Sequence, residues 1–187
     1  MPDIDTNIAP GLGLGDATGG IAALSRGGSF FLTATGTKVG KINGNSTVVG
    51  QIGSVIALGY HWEITCPRDV FTGLSTGRRV HHPLHIAFKL DKSGPQWFEA
   101  IAINDTFKTV ELDVWSSISK AAGISPGSGY KMVYKIQLEN ANIERYKQFT
   151  AVNGELCLTL AFTYQKGTVT WVDGGITGMF DWQTPAH

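Results

Sequence analysis

The chain has 187 residues, and its 15 lysine and arginine residues balance 15 aspartate and glutamate residues, which gives a formal net charge of zero. Charged residues make up only 16% of the sequence, and hydrophobic residues make up 42%. Because nucleic-acid binders carry a basic excess and disordered chains are poor in apolar residues, this composition argues against both classes. The low net charge also removes the self-repulsion that keeps copies of a protein apart, so it favours association.

Residues 1–28 are rich in glycine and contain little that could be buried, so we expect an extension that precedes a domain formed by residues 29–187. The first residues lack a basic stretch followed by an apolar run. No segment stays apolar for the roughly 18 residues that a membrane helix needs. We therefore expect neither an ordinary signal peptide nor membrane insertion, and we expect synthesis in the cytoplasm.

From residue 29 onward, large apolar residues alternate with small or polar ones, as in half-buried β-strands. The first strand is expected over residues 29–35. In residues 55–64 the even-numbered positions are large and apolar, and we expect them to face the core. Further strands are expected around residues 84–90, 110–114, 131–139, 155–165 and 169–171. The pattern predicts a mainly β domain whose antiparallel strands close over a core as a sandwich or barrel.

One short helix interrupts the strands. Ser93 and Gln96 fit a capping box, in which the Ser93 side chain accepts from the Gln96 backbone N–H and the Gln96 side chain reaches back. Apolar residues then recur at helical spacing from Trp97 to Ala102. The helix is expected to end near Asn104.

Two long loops are expected, over residues 65–82 and 116–130, and long loops in a compact domain are often functional. Cys66 lies in the first loop and Cys157 lies far from it in sequence, and neither belongs to a metal-type cluster. Both are expected to be reduced, buried thiols.

His81, His82 and His85 form an HHxxH cluster, which raises the possibility of a metal site. Pro83 breaks the local strand, and no carboxylate lies close by in sequence, so histidines of a loop or interface are the favoured interpretation. Neither a serine-nucleophile motif nor a zinc-protease motif occurs. We therefore predict no catalytic residues, no cofactor and no metal, and a metal-dependent hydrolase using these three histidines is the remaining enzymatic alternative.

Three blocks in a defined order resemble the haemolysin-coregulated protein (Hcp) family, which forms the tube of the bacterial type VI secretion system. Residues 77–84 read GRRVHHPL and continue through KLDKSGP at residues 89–95 into the helix. Residues 134–141 read YKIQLENA. The remaining matches are PRD at residues 67–69, YQK at 164–166, VTW at 169–171, DGG at 173–175 and DW at 181–182. Gly94, Gly167 and the 28 residues before the first strand depart from the family pattern.

The resemblance implies a partly open antiparallel β-barrel of two packed sheets with one short α-helix. Six copies would form a ring, and the rings would stack into a tube inside a contractile sheath, with a spike protein at the tip and small effectors in the lumen. Secretion would need no signal peptide. A tube protein of a related phage-tail-like contractile particle would share this fold and remains an alternative.

The resemblance also implies that the extended loop over residues 65–82 contacts the next ring or the neighbouring subunit. Its candidate interface residues are Arg68, Asp69, Arg78, Arg79, His81 and His82. The second face of the strands, with Lys135, Gln137, Thr159 and Thr163, is expected to line a wet lumen.

Overall fold

A computed structural model describes residues 29–117 and 130–181. The expected N-terminal extension and most of the expected loop over residues 116–130 lie outside these residues. The described chain forms one helix, α1 (Gly94–Ala102), and ten strands. The strands are β1 (Ser29–Gly36), β2 (Val55–His61), β3 (Ile64–Thr65), β4 (Val80–His81), β5 (Leu84–Lys89), β6 (Thr106–Ser117), β7 (Tyr130–Thr150), β8 (Leu156–Thr163), β9 (Lys166–Trp171) and β10 (Ile176–Asp181).

Eight strands form a single antiparallel sheet in the order β10-β9-β7-β6-β1-β2-β5-β8. A further pairing between β7 and β8 closes six of them into a barrel, while β3 and β4 form a separate two-stranded sheet. The predicted mainly β barrel with one short helix is therefore confirmed.

The closure depends on the length of β7. Its first part pairs with β6 on one side and with β9 on the other, from Tyr134 opposite Trp171 to Glu139 opposite Lys166. Its second part pairs with β8, starting at Asn142 opposite Thr163. One strand thus belongs both to the barrel wall and to an extension of the sheet that β9 and β10 form.

The core lies inside the barrel and is made by the inward faces that period-2 alternation predicts for several strands. Fully buried side chains include Leu84, Ile86 and Phe88 of β5, Ile136 and Leu138 of β7, and Leu158, Leu160 and Phe162 of β8. Burial of each such side chain stabilises the fold by about 1.5–3 kcal/mol.

The prediction for β2 is wrong at its start. Val55 and Ala57 are buried, whereas Ile56 is 48% exposed. A β-bulge between Ala57 and Gly59 shifts the register against β5, so the side chains that follow exchange faces. After the bulge Tyr60 packs against the core, as its even number predicts.

The predicted capping box is wrong, although α1 starts where it was expected. Ser93 has helical backbone angles (φ −77°, ψ −15°) and makes no side-chain cap, because its hydroxyl donates to the Asp91 carboxylate. The Trp97 indole N–H donates to the Ser93 hydroxyl at 3.0 Å, and Gln96 Oε1 accepts from the Asn43 backbone N–H at 2.9 Å. Ser93 and Gln96 therefore bind other partners instead of each other.

Two further predictions concern the two cysteines and the absence of a membrane-spanning helix. Both cysteines are free thiols; Cys157 is buried as expected, but Cys66 is exposed. Burial raises the pKa of the Cys157 thiol. No helix within residues 29–117 and 130–181 is long and apolar enough to cross a membrane.

Candidate assembly surface

An arm connects β2 to β5 and corresponds to the loop expected over residues 65–82. We use the name arm for residues 64–81. Its base is the β3–β4 pair, in which Ile64 lies opposite His81 and Thr65 lies opposite Val80. Every side chain between residues 70 and 80 is exposed.

The tip of the arm presents apolar side chains to solvent. Val70 is 93% exposed, Phe71 is 97% exposed and Leu74 is 69% exposed. Clustered apolar exposure on a soluble domain marks a contact surface. The arm tip, defined here by these three residues, is therefore a candidate contact with another protein.

Internal hydrogen bonds shape the tip. Asp69 Oδ1 accepts from the Phe71 backbone N–H at 3.0 Å, from the Thr72 backbone N–H at 2.7 Å and from the Thr72 hydroxyl at 2.9 Å. These bonds, led by the Thr72 backbone N–H, hold the pKa of Asp69 below its usual range. Arg68 Nη1 donates to the Gly73 carbonyl at 3.0 Å. Arg68 and Asp69 thus hold the turn that presents Phe71.

The other predicted interface residues lie further back in the arm and beside it. Arg78 and Arg79 are exposed on the returning limb. His82 follows β4; its Nε2 lies 3.2 Å from the Thr65 hydroxyl, and its backbone N–H donates to the Glu63 carbonyl at 3.1 Å. The fold brings all six predicted residues to one arm and its base, and their interface role stays a prediction.

Four side chains from distant segments anchor the base of the arm to the barrel, and we call them the arm anchor. The Trp62 indole N–H donates to the Tyr164 hydroxyl at 2.9 Å, and the two rings meet edge to face. His81 Nδ1 lies 3.2 Å from the same hydroxyl. The His81 ring stacks on Phe180 of β10, with ring centroids 3.5 Å apart.

Burial governs the protonation of the arm anchor. It lowers the pKa of His81, and the nearby Arg79 guanidinium lowers that pKa further. Burial also raises the pKa of the Tyr164 hydroxyl. At neutral pH both rings are therefore uncharged, which suits a stacked, partly buried aromatic cluster.

Gly167 has no side chain, and the arm anchor packs into the space that a side chain there would fill. A Cβ added there would lie 3.2 Å from Tyr164 Cε2 and 3.3 Å from two atoms of the Trp62 ring. Such contacts are tighter than ordinary van der Waals packing. A side chain at position 167 would therefore crowd the Trp62 and Tyr164 rings.

Sequence reasoning missed the arm anchor as a unit. The alternation predicts core positions for Trp62 and Tyr164, with a subunit contact as a further possibility for Trp62, and nothing in the sequence points to Phe180. The cluster forms because the β2–β5, β5–β8 and β9–β10 registers bring these separate segments together. No spacing of residues along the sequence predicts that these side chains come into contact.

A cleft of about 430 Å³ adjoins the arm anchor. Its lining carries imidazole, amide, hydroxyl and ring groups and no formally charged side chain. Asn140 Nδ2 donates to Gln165 Oε1 at 2.8 Å across it. The lining residues are His81, His82, Pro83, Asn140, Asn142, Thr163, Tyr164 and Gln165.

The fold disperses the HHxxH cluster. His81 joins the arm anchor, His82 contacts Thr65, and His85 lies beside His61 with ring centroids 6.3 Å apart. Burial lowers the pKa of His85, and the charge of Arg145 lowers it further. The three histidines therefore do not converge on one point, and the hydrolase alternative loses its expected ligand set.

The outer face of β6, β7 and β9 is largely polar and carries two ion pairs. Lys135 Nζ lies 3.0 Å from Glu111 Oε2, and Lys166 Nζ lies 2.9 Å from Glu139 Oε1. Gln137 lies between these pairs on the same face of β7. Hydroxyl side chains continue this face at Thr168, Thr170 and Thr177.

Two more apolar patches lie apart from the arm. The hairpin patch consists of Trp171 and Ile176, which lie opposite each other on one face of β9 and β10, whereas the exposed Met179 lies opposite Thr168 on the other face. The loop patch, on the segment before β2 and on β2 itself, consists of Val49, Ile52 and Ile56. Within the described residues, β10 pairs only with β9 and ends the sheet order.

The sequence matches a family model and a characterised relative. A family model described as "Type VI secretion system effector, Hcp" matches residues 31–171. The "Major exported protein" of Pseudomonas aeruginosa PAO1 is 31% identical over 171 residues, which cover 83% of this chain and 95% of that protein.

Solved structures share the fold. A crystal structure of an Hcp protein superposes with a TM-score of 0.72 at 22% identity, covering 82% of this chain and 99% of the other. Hcp1 from Escherichia coli EAEC 042 superposes with a TM-score of 0.70 at 22% identity, covering 82% and 97%. The secreted protein Hcp3 from Pseudomonas aeruginosa gives 0.65 at 24% identity, covering 82% and 99%.

Proposed function

The chain belongs to the Hcp family of the type VI secretion system, and we propose that it is a structural subunit of the secretion tube. In this proposal six copies form a ring, rings stack inside a sheath behind a spike protein, and the lumen carries small effector proteins. The protein is made in the cytoplasm and leaves through the type VI machine without a signal peptide. This role needs neither catalysis nor a cofactor.

The exposed arm tip carries the proposal. Full burial of Phe71, and of each of its apolar neighbours at the tip, would stabilise a complex by about 1.5–3 kcal/mol. An isolated copy does not gain this free energy. The Asp69 turn holds the tip in one shape, so little ordering cost opposes its docking. An apolar arm tip that is kept in one shape suits a contact with the next ring or with the neighbouring subunit.

The two other apolar patches support a closed ring. Rotational rings need heterologous contacts, in which one surface of a subunit meets a different surface of its neighbour. The hairpin patch and the loop patch are two such distinct surfaces. In the part of the chain that the structure describes, β10 ends the sheet order, and a strand at the end of a sheet can be covered or extended by a neighbour.

The polar outer face of β6, β7 and β9 suits the lumen. Lys135 and Lys166 are paired with carboxylates, and an amide and several threonine hydroxyls lie beside them, so cargo would meet a wetted surface without a strong charge of one sign. Lys135 and Gln137 lie on this face, as the sequence suggests for a lumen. Thr159 and Thr163 lie on β8, which pairs with the other end of β7.

Substitution of the tip tests the proposal. The wild-type protein should sediment as rings, and Phe71→Asp should weaken self-association, because a charged side chain cannot be buried at an apolar contact. Val152→Asp is the matched control, since Val152 is also exposed but lies in the turn between β7 and β8, away from the arm. Equal association of Phe71→Asp and wild type, or a wild type that remains a monomer, would contradict the proposal.

A further inference from the structure

A loop carries two residues of the loop patch, Val49 and Ile52, and covers part of the outer face of the barrel. We use the name cover loop for residues 43–54, which precede β2 and contain no charged side chain. A backbone hydrogen bond closes the loop on itself, because the Ser46 N–H donates to the Ser54 carbonyl at 3.0 Å. The cover loop therefore presents its two apolar side chains from a defined shape.

A buried carboxyl group lies beneath the cover loop. Asp113 of β6 is 7% exposed, and its Oδ2 accepts from Gln51 Nε2 at 2.6 Å. Gln51 Oε1 accepts in turn from the Ser54 hydroxyl at 3.0 Å, and both of these side chains are buried. Gly50 passes close to the Trp115 ring, since a Cβ added there would lie 3.6 Å from Cη2 of that ring. Three buried polar side chains thus connect the cover loop to the barrel wall.

One oxygen of this carboxyl group has no hydrogen-bond donor within the described chain. Among residues 29–117 and 130–181, Asp113 Oδ1 is buried and accepts no hydrogen bond. Lys135 of β7 lies opposite Asp113, but its Nζ pairs with Glu111 Oε2 at 3.0 Å. Burial of an ionised carboxylate with an unsatisfied oxygen is costly, whereas the neutral carboxyl group is tolerated more easily. The surroundings of Asp113 therefore favour its protonated form.

Two charged groups face Asp113 from the elements around it. β6 places Glu111 on the same face two residues away, and β7 places Lys135 there. β1 places Phe31 opposite Asp113 and contains no titratable side chain, and the cover loop is uncharged. Burial, the largest influence, raises the pKa of Asp113, and the charge of Glu111 raises it further. The hydrogen bond from Gln51 and the charge of Lys135 oppose this change without reversing it, so the folded chain holds the proton more readily than the unfolded chain.

We propose that protonation of Asp113 holds the cover loop against the barrel and thereby steadies the loop patch. The contribution of this group to the free energy of unfolding is complete below the usual carboxyl pKa of 3.8, and it is lost as the pH rises through the higher pKa of the folded state. The cover loop is therefore held more firmly in mild acid than at neutral pH. This consequence, which rests on the proposed function, makes a ring contact at the loop patch tighter in mild acid.

Hydrogen exchange of the full-length protein at several pH values tests the proposal. Asp113→Asn keeps the shape of the side chain without its charge, so the backbone of residues 49–53 should be several-fold better protected than in the wild type at about pH 7. The difference should shrink as the pH falls towards about 4, because the wild type then holds the proton. Asp173→Asn is the matched control, since it removes the same charge from a side chain that is 79% exposed, and it should leave residues 49–53 unchanged.

The wild type supplies a second measurement that needs no substitution. Protection of residues 49–53, corrected for intrinsic exchange rates, should rise as the pH falls from about 7 to about 5, whereas the turn at residues 151–155 should not gain protection. Protection of Asp113→Asn that equals or falls below that of the wild type at neutral pH would overturn the proposal. Sedimentation measures ring formation separately. Rings with a pH-insensitive cover loop would overturn this inference alone, and monomers with a pH-sensitive cover loop would overturn the tube proposal alone.

Discussion

The indole N–H of Trp62 donates to the hydroxyl of Tyr164 across 102 residues of chain, at 2.9 Å. Trp62 lies just before the arm, and Tyr164 lies in the turn between β8 and β9. The bond therefore fixes where the arm leaves the barrel. His81, at the returning end of the arm, shares the same hydroxyl at 3.2 Å, so one oxygen serves both limbs.

Loss of that oxygen should loosen the arm. Tyr164→Phe keeps the ring but leaves the Trp62 donor without its acceptor, which should lower the free energy of unfolding by about 1–3 kcal/mol. Chemical denaturation measures the change, and hydrogen exchange should quicken in the arm. Tyr146→Phe is the control, because among the described residues the Tyr146 hydroxyl makes a single long, exposed contact, to Gln148 at 3.5 Å. Equal stability of the two variants would count against the arm anchor.

A methyl group at Gly167 should disturb the same cluster. Gly167→Ala places a Cβ 3.2–3.3 Å from the Tyr164 and Trp62 rings, and overpacking of this kind costs about 1–3 kcal/mol. In Gly178→Ala the new Cβ would lie 3.5 Å from Val169 Cγ2, an ordinary contact. Thermal unfolding should therefore separate the two variants, and a Gly167→Ala protein as stable as Gly178→Ala would refute the close packing.

Period-2 alternation predicts much of the barrel, because its strands keep regular register between bulges. Ile86 and Leu160 face the core as the pattern requires. Ile56 does not, because the bulge after Ala57 changes the phase of β2 and leaves no mark in the residue pattern. The arm was predictable as a long loop, but the contact between Trp62 and Tyr164 depends on registers set by the whole sheet.

The arm anchor should weaken in acid. The folded pKa of His81 lies below its usual value of 6.5, so the folded state binds this proton less readily than the unfolded state. Neutral His81 therefore makes its full contribution to the free energy of unfolding above about pH 6.5. That contribution decreases as the pH drops from this value towards the pKa of the folded state.

His81→Phe separates this effect from those of other titrating groups. Phenylalanine can still stack on Phe180 but does not titrate, so the variant should lose less stability than the wild type between neutral pH and about pH 5. Unfolding curves at the two pH values measure the difference. An identical pH dependence of wild type and variant would show that His81 does not titrate in this way.

The shape of the arm tip should depend on Asp69. Asp69→Ala removes the acceptor of three hydrogen bonds, whereas Asp69→Asn keeps a carbonyl oxygen at the same place. The alanine variant should associate more weakly and exchange backbone hydrogens faster at Phe71 and Thr72, with little change in global stability. The asparagine variant should stay close to the wild type; similar loss in both variants would point to the charge rather than the turn.

Negative-stain electron microscopy of the purified full-length protein tests the tube proposal most directly. The account predicts six-fold rings with a central opening, stacked into short tubes at higher concentration. A field of small compact particles the size of one chain, at every concentration examined, would contradict it.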